Sequence, residues 1–282
     1  MLKITIWILI EFCCCAHLWG YKGPHGPQDW GQFYPTCDQS SQSPIDIKHD
    51  QDLVYKMETP LQFFNYHQIP DKVKITNDGH LKTVFPTAAP MLMYGGGLTT
   101  AYKFHDIHIH WGSHNHLGSE HKVDGRSFPV EFHFVHYKAQ YDSLSQALEN
   151  PEHDTLAVLG VFGEIVEEDN PRLAPLLDHL AAVESSTGEE MDIPGFAANS
   201  ILPENHDRFY RYSGSLTTPG CFEVVSWTVS RTVIPISESQ MNKLRALMLP
   251  DHSPQMDNNR PVQQLNKRKV YDVETFLHHY SI

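Results

Sequence analysis

Two apolar stretches that carry histidines at alternating positions constrain the fold more than any other feature of the chain. His108 and His110 flank Ile109, and His133 follows Phe132 in the second stretch. Side chains two residues apart in a β-strand point to the same face of the sheet, so each stretch would present histidines on one face and apolar residues on the other. If the two strands are neighbours, three imidazoles converge on a zinc ion and leave its fourth tetrahedral position open. An open position indicates a catalytic zinc site.

Length and charge narrow the class of protein. A chain of 282 residues can bury a large core, and β-rich enzymes of this size often form one domain. The formal charge is −13, and it is the same without the first sixteen residues, because Lys3 and Glu11 cancel. The sequence has no cluster of Lys and Arg that would bind phosphates. Nucleic acid is therefore not expected as a partner.

The N-terminus has the pattern of a secretory signal peptide. Lys3 precedes an apolar run at residues 4–10, and Cys14 and Ala16 are small residues at the place where a signal peptidase would cut. The run is too short to span a bilayer. Glu11 is atypical of a leader, and a buried N-terminal strand is the alternative. We predict a signal peptide at residues 1–16 with an uncertain cleavage site, a single mature domain at residues 17–282, and a secreted, extracellular protein.

The cysteine content fits an oxidising compartment. Three of the five cysteines lie within the predicted leader, which leaves Cys37 and Cys221 in the mature chain. An even number of cysteines in a secreted protein predicts a disulfide, and two unrelated buried thiols are the alternative. The sequence contains no Asn-x-Ser/Thr acceptor, and residues 276–280 do not form an apolar tail. Neither a glycan nor a membrane anchor is predicted.

Short alternating segments separated by turn residues predict a mainly β protein of the α+β class. The predicted strands are residues 73–76, 107–111, 130–137, 156–162 and 224–229. The predicted helices are residues 143–149, 171–183 and 237–247, the last with Ser237 as the N-cap and Gln240 at the N3 position. We find no repeat and no low-complexity linker, so nothing in the sequence indicates a second domain.

Seven short motifs follow one another along the chain. They are Trp19-Gly20-Tyr21, Gln42-Ser43-Pro44-Ile45-Asp46-Ile47, His108-Ile109-His110-Trp111-Gly112-Ser113, Gly118-Ser119-Glu120-His121, Glu131-Phe132-His133-Phe134-Val135-His136, Gly214-Ser215-Leu216-Thr217-Thr218-Pro219 and Asn258-Asn259-Arg260-Pro261. Their order is typical of the α-class carbonic anhydrases, and the chain resembles this family from Trp19 to its C-terminus. Ordered motifs are far more specific than one metal-ligand pattern. The resemblance implies a single domain on a large, mostly antiparallel twisted sheet of about ten strands with short flanking helices. It also implies that zinc lies at the bottom of a cone-shaped cleft.

The resemblance implies reversible hydration of CO2 to bicarbonate and a proton, with His108, His110 and His133 as zinc ligands. Zinc lowers the pKa of bound water from about 15.7 to about 7, which produces a hydroxide that can attack CO2 at neutral pH. Three neutral imidazoles leave the metal its full double charge, so they favour this acidification more than thiolates would. Inhibitory anions and sulfonamides are expected ligands of the same site.

Each histidine that binds zinc is expected to donate the N–H of its other ring nitrogen to an oxygen atom, which fixes the orientation of the ring. The resemblance assigns this role to Glu131 for the third ligand and to a backbone carbonyl near Asn258 for His110. For His108 the family residue is usually Gln, whereas this sequence has Asp106. A carboxylate is shorter and charged, so Asp106 could strengthen the basicity of His108, fail to reach it, or have only a surface role.

The same resemblance indicates which residues orient the hydroxide and which residues line the pocket for CO2. Thr217 would accept the proton of the hydroxide while donating its own to Glu120, which fixes the lone pair that attacks. The backbone N–H of Thr217 would contact a substrate oxygen or an anionic inhibitor. A small, mostly apolar pocket would admit CO2 and exclude larger molecules. The predicted pocket residues are Val135, Val158, Leu216, Thr218, Val225 and Trp227.

Turnover also requires a residue that carries the released proton to buffer. His80 matches the shuttle position of the family, and an imidazole with a pKa of about 6.5 exchanges protons at physiological pH. Tyr21 and Thr83 would help to order the intervening water, and Asp78, where the family often has Asn, would raise the pKa of His80. Because the chain has nineteen histidines, an ordinary surface position is the alternative interpretation of His80.

Two other functions are compatible with a chain of this family. A secreted matrix or metal-binding protein with a vestigial anhydrase domain would be expected to have lost a zinc ligand or Thr217, and all of them are present. Ester hydrolysis is a chemically allowed side activity, but a narrow valine-lined pocket disfavours a bulky dedicated substrate. His114 and His116, in a connecting loop, could bind metal adventitiously. Zinc content and a CO2 hydration assay separate these functions.

Overall fold

The computed structural model describes residues 19–49, 53–57, 59–184, 188–249 and 252–275. The predicted leader at residues 1–16 lies outside the described residues. The strands are β1 (Asp46–Ile47), β2 (Leu53–Met57), β3 (Leu61–Phe64), β4 (Lys72–Asn77), β5 (Leu81–Val84), β6 (Leu92–Gly95), β7 (Tyr102–Trp111), β8 (Lys122–Val123), β9 (Val130–Lys138), β10 (Leu156–Val166), β11 (Glu190–Pro194), β12 (Arg208–Gly214), β13 (Val225–Ser230), β14 (Ile234–Ser237) and β15 (Tyr271–Thr275). The α-helices are α1 (Trp30–Phe33), α2 (Leu144–Glu149), α3 (Ala174–Leu177) and α4 (Glu238–Arg245), and four 3-10 turns lie at Gly23–His25, Pro35–Asp38, Leu180–Val183 and Ala198–Ser200.

Thirteen of the strands form one large sheet. Ten of them follow one another in the order β11-β4-β5-β7-β9-β10-β13-β12-β15-β2, and β14, β6 and β3 extend the sheet beside this row. Most neighbours are antiparallel, but β10 runs parallel to β13 and β14, and β15 runs parallel to β2. β1 and β8 pair separately. The prediction of a mainly β fold on a large, mostly antiparallel sheet is confirmed.

The alternation of side chains in β9 gives the central sheet two different faces. Phe132 and Phe134 are fully buried in a core that also contains Ile109 of β7. Val135 belongs to a second core on the opposite face, and His133 points to that face because it alternates with the two phenylalanines. We call it the histidine face. Complete burial of a Phe side chain contributes about 1.5–3 kcal/mol, so Phe132 and Phe134 stabilise this part of the sheet through apolar contacts.

Two helices begin where their cap residues predict. α2 follows Ser143, whose hydroxyl accepts a backbone N–H, and α4 follows Ser237, which forms a capping box with Gln240. The predicted helix at residues 171–183 is instead two short pieces, α3 and a 3-10 turn, because His179 leaves the helical conformation at φ −107° and ψ 2°. No helix in the described ranges is long and apolar enough to cross a membrane.

A β-bulge in β7 changes which face of the sheet the side chains of this strand point to. Phe104 lies opposite His136 and Asp106 lies opposite Val135, so His105 is the extra residue between them. In a regular strand, residues 104 and 106 would face the same side. The bulge turns Phe104 toward the core and Asp106 toward the histidine face.

Candidate metal centre

The three predicted ligands meet where β7 and β9 run side by side. His108 lies directly opposite His133, and His110 lies directly opposite Glu131. One ligand nitrogen from each of the three histidines lies within 4.8 Å of those of the other two. This separation is compatible with a single ion bound about 2 Å from each nitrogen.

The second nitrogen of each ring is held by an oxygen atom. These contacts are His108 Nδ1 to Asp106 Oδ1 at 3.1 Å, His110 Nδ1 to the Asn258 carbonyl oxygen at 2.7 Å, and His133 Nε2 to Glu131 Oε1 at 2.8 Å. Donation to these oxygens fixes the tautomer and leaves the opposite nitrogen of each ring free to bind metal. Nε2 of His110 and Nδ1 of His133 are buried and have no hydrogen-bond partner among the described residues. The donor set therefore fits a zinc ion.

Burial keeps two of these ligands neutral. It lowers the pKa of His133 to about 4 and the pKa of His110 well below its usual range. Both imidazoles are therefore unprotonated at neutral pH, which is the form that binds metal. Together with His108 they supply three imidazole nitrogens from two paired strands, which is the donor set of many catalytic zinc sites.

Glu131 supports His133 from within a closed network. Its Oε1 also accepts from Nδ1 of His121 at 2.7 Å, and its Oε2 accepts the backbone N–H groups of Glu120 and His121 at 2.9 and 2.8 Å. Burial alone would raise the pKa of Glu131, but His121 and His133 hold it well below its usual range. The ligand atoms of His121, Glu131 and His133 also lie within 4.8 Å of one another, a spacing that could hold a metal ion. However, Glu131 and the Tyr212 hydroxyl occupy both of its nitrogens, so we assign His121 to support.

Glu120 and Thr217 lie beside the ligands. The Thr217 hydroxyl hydrogen bonds to the Glu120 carboxylate, and the backbone N–H of Arg260 donates to Oε1 of Glu120 at 2.7 Å. Oε2 of Glu120 lies 3.5 Å from Nε2 of His110. Burial raises the pKa of Glu120 well above its usual range, and the contacts with Thr217 and Arg260 oppose that rise. A metal dication at the histidines would oppose it further.

The apolar residues predicted to line the CO2 pocket lie together on the histidine face. All of them pack in or against one core, and they are Val135, Val158, Leu216, Val225 and Trp227. Val135, Val158 and Trp227 are directly opposite one another on β9, β10 and β13. The ring centroid of Trp227 is 4.8 Å from that of His133. An apolar surface therefore borders the ligands.

The ring of His80 lies next to two aromatic side chains that precede the first helix. Its ring centroid is 4.3 Å from that of Trp19 and 5.7 Å from that of Tyr21. Nδ1 of His80 is 3.3 Å from Oδ1 of Asp78, and the hydrogen bond to His80 lowers the pKa of Asp78. Nε2 of His80 and the hydroxyl of Tyr21 are buried without a hydrogen-bond partner in the described structure, so both retain hydrogen-bonding capacity.

Thr83 does not join this group. It lies opposite Ile75 and Ile107, and its side chain is fully buried on the core face with theirs. The structure therefore does not support the predicted role of Thr83 in ordering water along a proton path. Lys82 faces the site instead, because it lies directly opposite His108.

Asp106 reaches His108 although it is shorter than the Gln expected at this position. Its second oxygen, Oδ2, is 3.5 Å from Nζ of Lys82 and 3.4 Å from Nε2 of His105. Burial alone would raise the pKa of Asp106, but the hydrogen bond to His108 and the charges of His108, His105 and Lys82 lower it. Because Asp106 is buried, the surface role considered for it does not apply.

The predicted disulfide between Cys37 and Cys221 is present. The backbone N–H of Cys221 donates to the carbonyl oxygen of Thr218, a half-buried member of the predicted pocket, at 2.9 Å. The disulfide therefore braces the loop that carries Thr217 against the N-terminal segment.

Arg260, to which sequence reasoning assigned no role, links the disulfide to the site. Its Nη2 donates to the carbonyl oxygen of Cys37 at 3.0 Å, and its Nη1 donates to Oε1 of Gln42 at 2.8 Å. Its backbone N–H holds Glu120. The position of Arg260 two residues after Asn258, within the same motif, is the signal that could have indicated it.

Comparisons with known proteins agree with this geometry. Residues 25–274 match the family model described as eukaryotic-type carbonic anhydrase. The chain is 39% identical over 264 residues to carbonic anhydrase 12 of Homo sapiens, an alignment that covers 90% of this chain and 72% of the relative. The family match includes all three histidines, whose arrangement is able to bind a metal. The chain therefore belongs to the eukaryotic-type carbonic anhydrases, zinc enzymes that convert CO2 and water reversibly into bicarbonate and a proton.

Proposed function

We propose that this carbonic anhydrase holds a catalytic zinc ion with His108, His110 and His133. The observation that carries the proposal is the convergence of three imidazoles whose second nitrogens are all held by oxygen atoms. Zinc bound there would lower the pKa of a water molecule to about 7 and so supply the nucleophile for CO2 at neutral pH. Each ligand stands on a strand of the core sheet, so the sheet holds the ligand geometry in place without metal.

Thr217 orients the nucleophile in this proposal. Its hydroxyl proton is committed to Glu120, so its oxygen can only accept a hydrogen bond from the reacting group. Arg260 keeps Glu120 in place by donating to Oε1. The backbone N–H of Thr217 is the proposed contact for an oxygen of bicarbonate, of an inhibitory anion or of a sulfonamide.

The apolar surface beside the ligands accommodates CO2. CO2 is uncharged and forms weaker hydrogen bonds than water does, so an apolar surface suits it better than a polar one. Val135 and Val158 present short branched side chains, and Trp227 lies directly opposite Val158 on the next strand. Leu216 and Val225 complete the apolar lining, and Thr218 borders it. Larger side chains at the two valines would fill the space that a linear triatomic molecule requires.

His80 carries the released proton to buffer. Its side chain is 29% exposed, so it contacts solvent, while its Nε2 is buried with unused hydrogen-bonding capacity. Asp78 and the ring of Trp19 hold the imidazole in this position. The Tyr21 hydroxyl, which is also buried without a hydrogen-bond partner among the described residues, could bind a water molecule close to the imidazole.

We also infer that residues 17–282 form the mature domain and that it acts outside the cell. The Cys37–Cys221 disulfide supports this location, because disulfides persist in oxidising compartments and are rare in reducing ones. The leader-like sequence at residues 1–16 supports it independently.

Replacement of single ligands tests the zinc site. His110→Ala and His133→Ala should each retain less than about a tenth of the wild-type zinc, since each removes one of three protein ligands. CO2 hydration should fall in parallel, while the far-ultraviolet circular dichroism of the sheet persists. His114→Ala, which removes an exposed imidazole from a neighbouring loop, is the matched control and should retain both zinc and activity. Full hydration activity in a zinc-free ligand variant would refute the proposal.

A further inference from the structure

Asp106 places a negative charge next to a metal ligand inside the sheet. Its Oδ1 contacts His108, and its side chain is only 7% exposed. A buried carboxylate is destabilising unless it is paired and hydrogen bonded. One imidazole offers a single N–H to Oδ1, so Oδ2 needs partners of its own.

Two side chains from different parts of the sheet supply those partners. Nζ of Lys82 is 3.5 Å and Nε2 of His105 is 3.4 Å from Oδ2 of Asp106. Lys82 stands on β5 directly opposite His108, and His105 is the bulge residue of β7. The side chains of Lys82 and His105 are 41% and 31% exposed, so groups that reach the surface contact the buried carboxylate that supports the ligand.

We propose that Lys82 is a positioning residue for the metal site. It holds Asp106 in the orientation in which the carboxylate accepts the N–H of His108, and His105 assists from the bulge. The inference rests on the proposed zinc ligands and deepens that proposal. If Lys82 has this role, the retention of zinc depends on a partly exposed lysine that lies on a different strand from all three ligands.

Lys82 is expected to affect zinc binding in two opposite ways, and only one of them requires Asp106. As a positioning residue it strengthens zinc binding only while the carboxylate is present. As a nearby cation it repels zinc whether or not the carboxylate is present. Because Lys82 is 41% exposed, solvent and salt screen the repulsion, and positioning should dominate.

The test is a double-mutant cycle on the rate at which zinc-loaded, full-length protein loses zinc to a chelator. Lys82→Met should release zinc about threefold to tenfold faster, less than the 10–100-fold effect typical of a direct partner of a ligand. Asp106→Gln provides an uncharged acceptor for His108. In that background, Lys82→Met should change the rate by less than about twofold, and Lys82→Arg in the natural background should release zinc at nearly the wild-type rate.

Lys72→Met is the matched control, because it breaks an exposed pair with Asp192 at 2.8 Å on the edge of the same sheet. It should leave zinc release unchanged. Zinc-free Lys82→Met should unfold at a somewhat lower urea midpoint, because Asp106 loses one of its partners, but it should remain folded under the conditions of the zinc-release assay. Unchanged or slower zinc release from Lys82→Met would overturn the inference, as would the same acceleration in both backgrounds or unfolding of the variant under the assay conditions. A wild-type protein that binds no zinc would instead contradict the proposed zinc site.

Discussion

Gly160 leaves room for the carboxylate of Glu131, since a Cβ atom added at Gly160 would lie 2.9 Å from Oε1 of Glu131. Gly160 also lies directly opposite His133 on the neighbouring strand. Glu131 cannot move away without losses, because its two oxygens accept hydrogen bonds from His133, from His121 and from two backbone N–H groups. An added side chain at Gly160 would therefore displace Glu131 from the residues that it supports.

Gly160→Ala should weaken zinc binding about tenfold by displacing Glu131 from His133. It should also lower the free energy of unfolding by about 1–3 kcal/mol through overpacking. Chelator competition and urea unfolding measure the two effects. Gly163→Ala on the same strand is the control, since its Cβ would meet Val130 and should lower stability without changing zinc affinity. Wild-type zinc affinity in Gly160→Ala would contradict this role of the glycine.

Thr217→Ala removes the hydroxyl that is committed to Glu120. The nucleophile then loses its fixed orientation, and kcat/KM for CO2 hydration should fall about 100-fold. Thr217→Ser keeps a hydroxyl and should recover most of the activity. Stopped-flow hydration at saturating zinc measures both variants, with zinc content unchanged. An alanine variant with wild-type kcat/KM would show that Thr217 does not orient the reacting group.

His80→Ala should separate proton export from the attack on CO2. The ligands, Thr217 and the apolar pocket remain in place, so kcat/KM should change little while kcat falls in weak buffer. Added imidazole should restore much of the lost kcat, because it can accept the proton that His80 would have taken. If kcat is unaffected in weak buffer, another group carries the proton, and Asp78 is the next candidate.

The histidine pattern was predictable because it is local. The period of two places His108 and His110 on one face of β7, and it separates His133 from its apolar neighbours on β9. The two faces coincide because β7 and β9 pair in the register that sets His108 opposite His133, which the sequence analysis could state only as a condition. The caps of α2 and α4 are equally local, since Ser143 and Ser237 contact residues within the first helical turn.

The partners of Asp106 were not predictable, because they depend on register between distant strands. His105 reaches Oδ2 from a bulge that no local pattern announces, and Lys82 reaches it only through the pairing of β5 with β7. The position of Thr83 on the core face was not predictable for the same reason. A shift of one residue in register moves a side chain to the other face of a sheet, and the pairing of β5 gives the site-facing position to Lys82.

His136 predicts a pH dependence of stability that is independent of the metal. Burial on the core face lowers its pKa to about 4, whereas the unfolded chain has a histidine pKa of about 6.5. The unfolded state therefore binds more protons between these values, and the free energy of unfolding falls as pH decreases from 6.5 toward 4. The loss amounts to about 3 kcal/mol over this range.

His136→Gln should remove that contribution. Urea unfolding of zinc-free protein at several pH values between 7.5 and 4.5 measures the slope for the wild type and the variant. The variant should show the flatter dependence. Equal slopes would mean that His136 does not titrate differently in the folded and unfolded chains.

Zinc titration into chelator-stripped protein tests the central claim most directly. CO2 hydration should be lost with the metal while the sheet remains folded, because the core and not the ion holds β7 and β9 together. Activity should then rise in proportion to added zinc and stop rising at one zinc per chain, as expected for one site formed by His108, His110 and His133. Full hydration activity in the stripped protein, or activity that fails to return with zinc, would contradict the account.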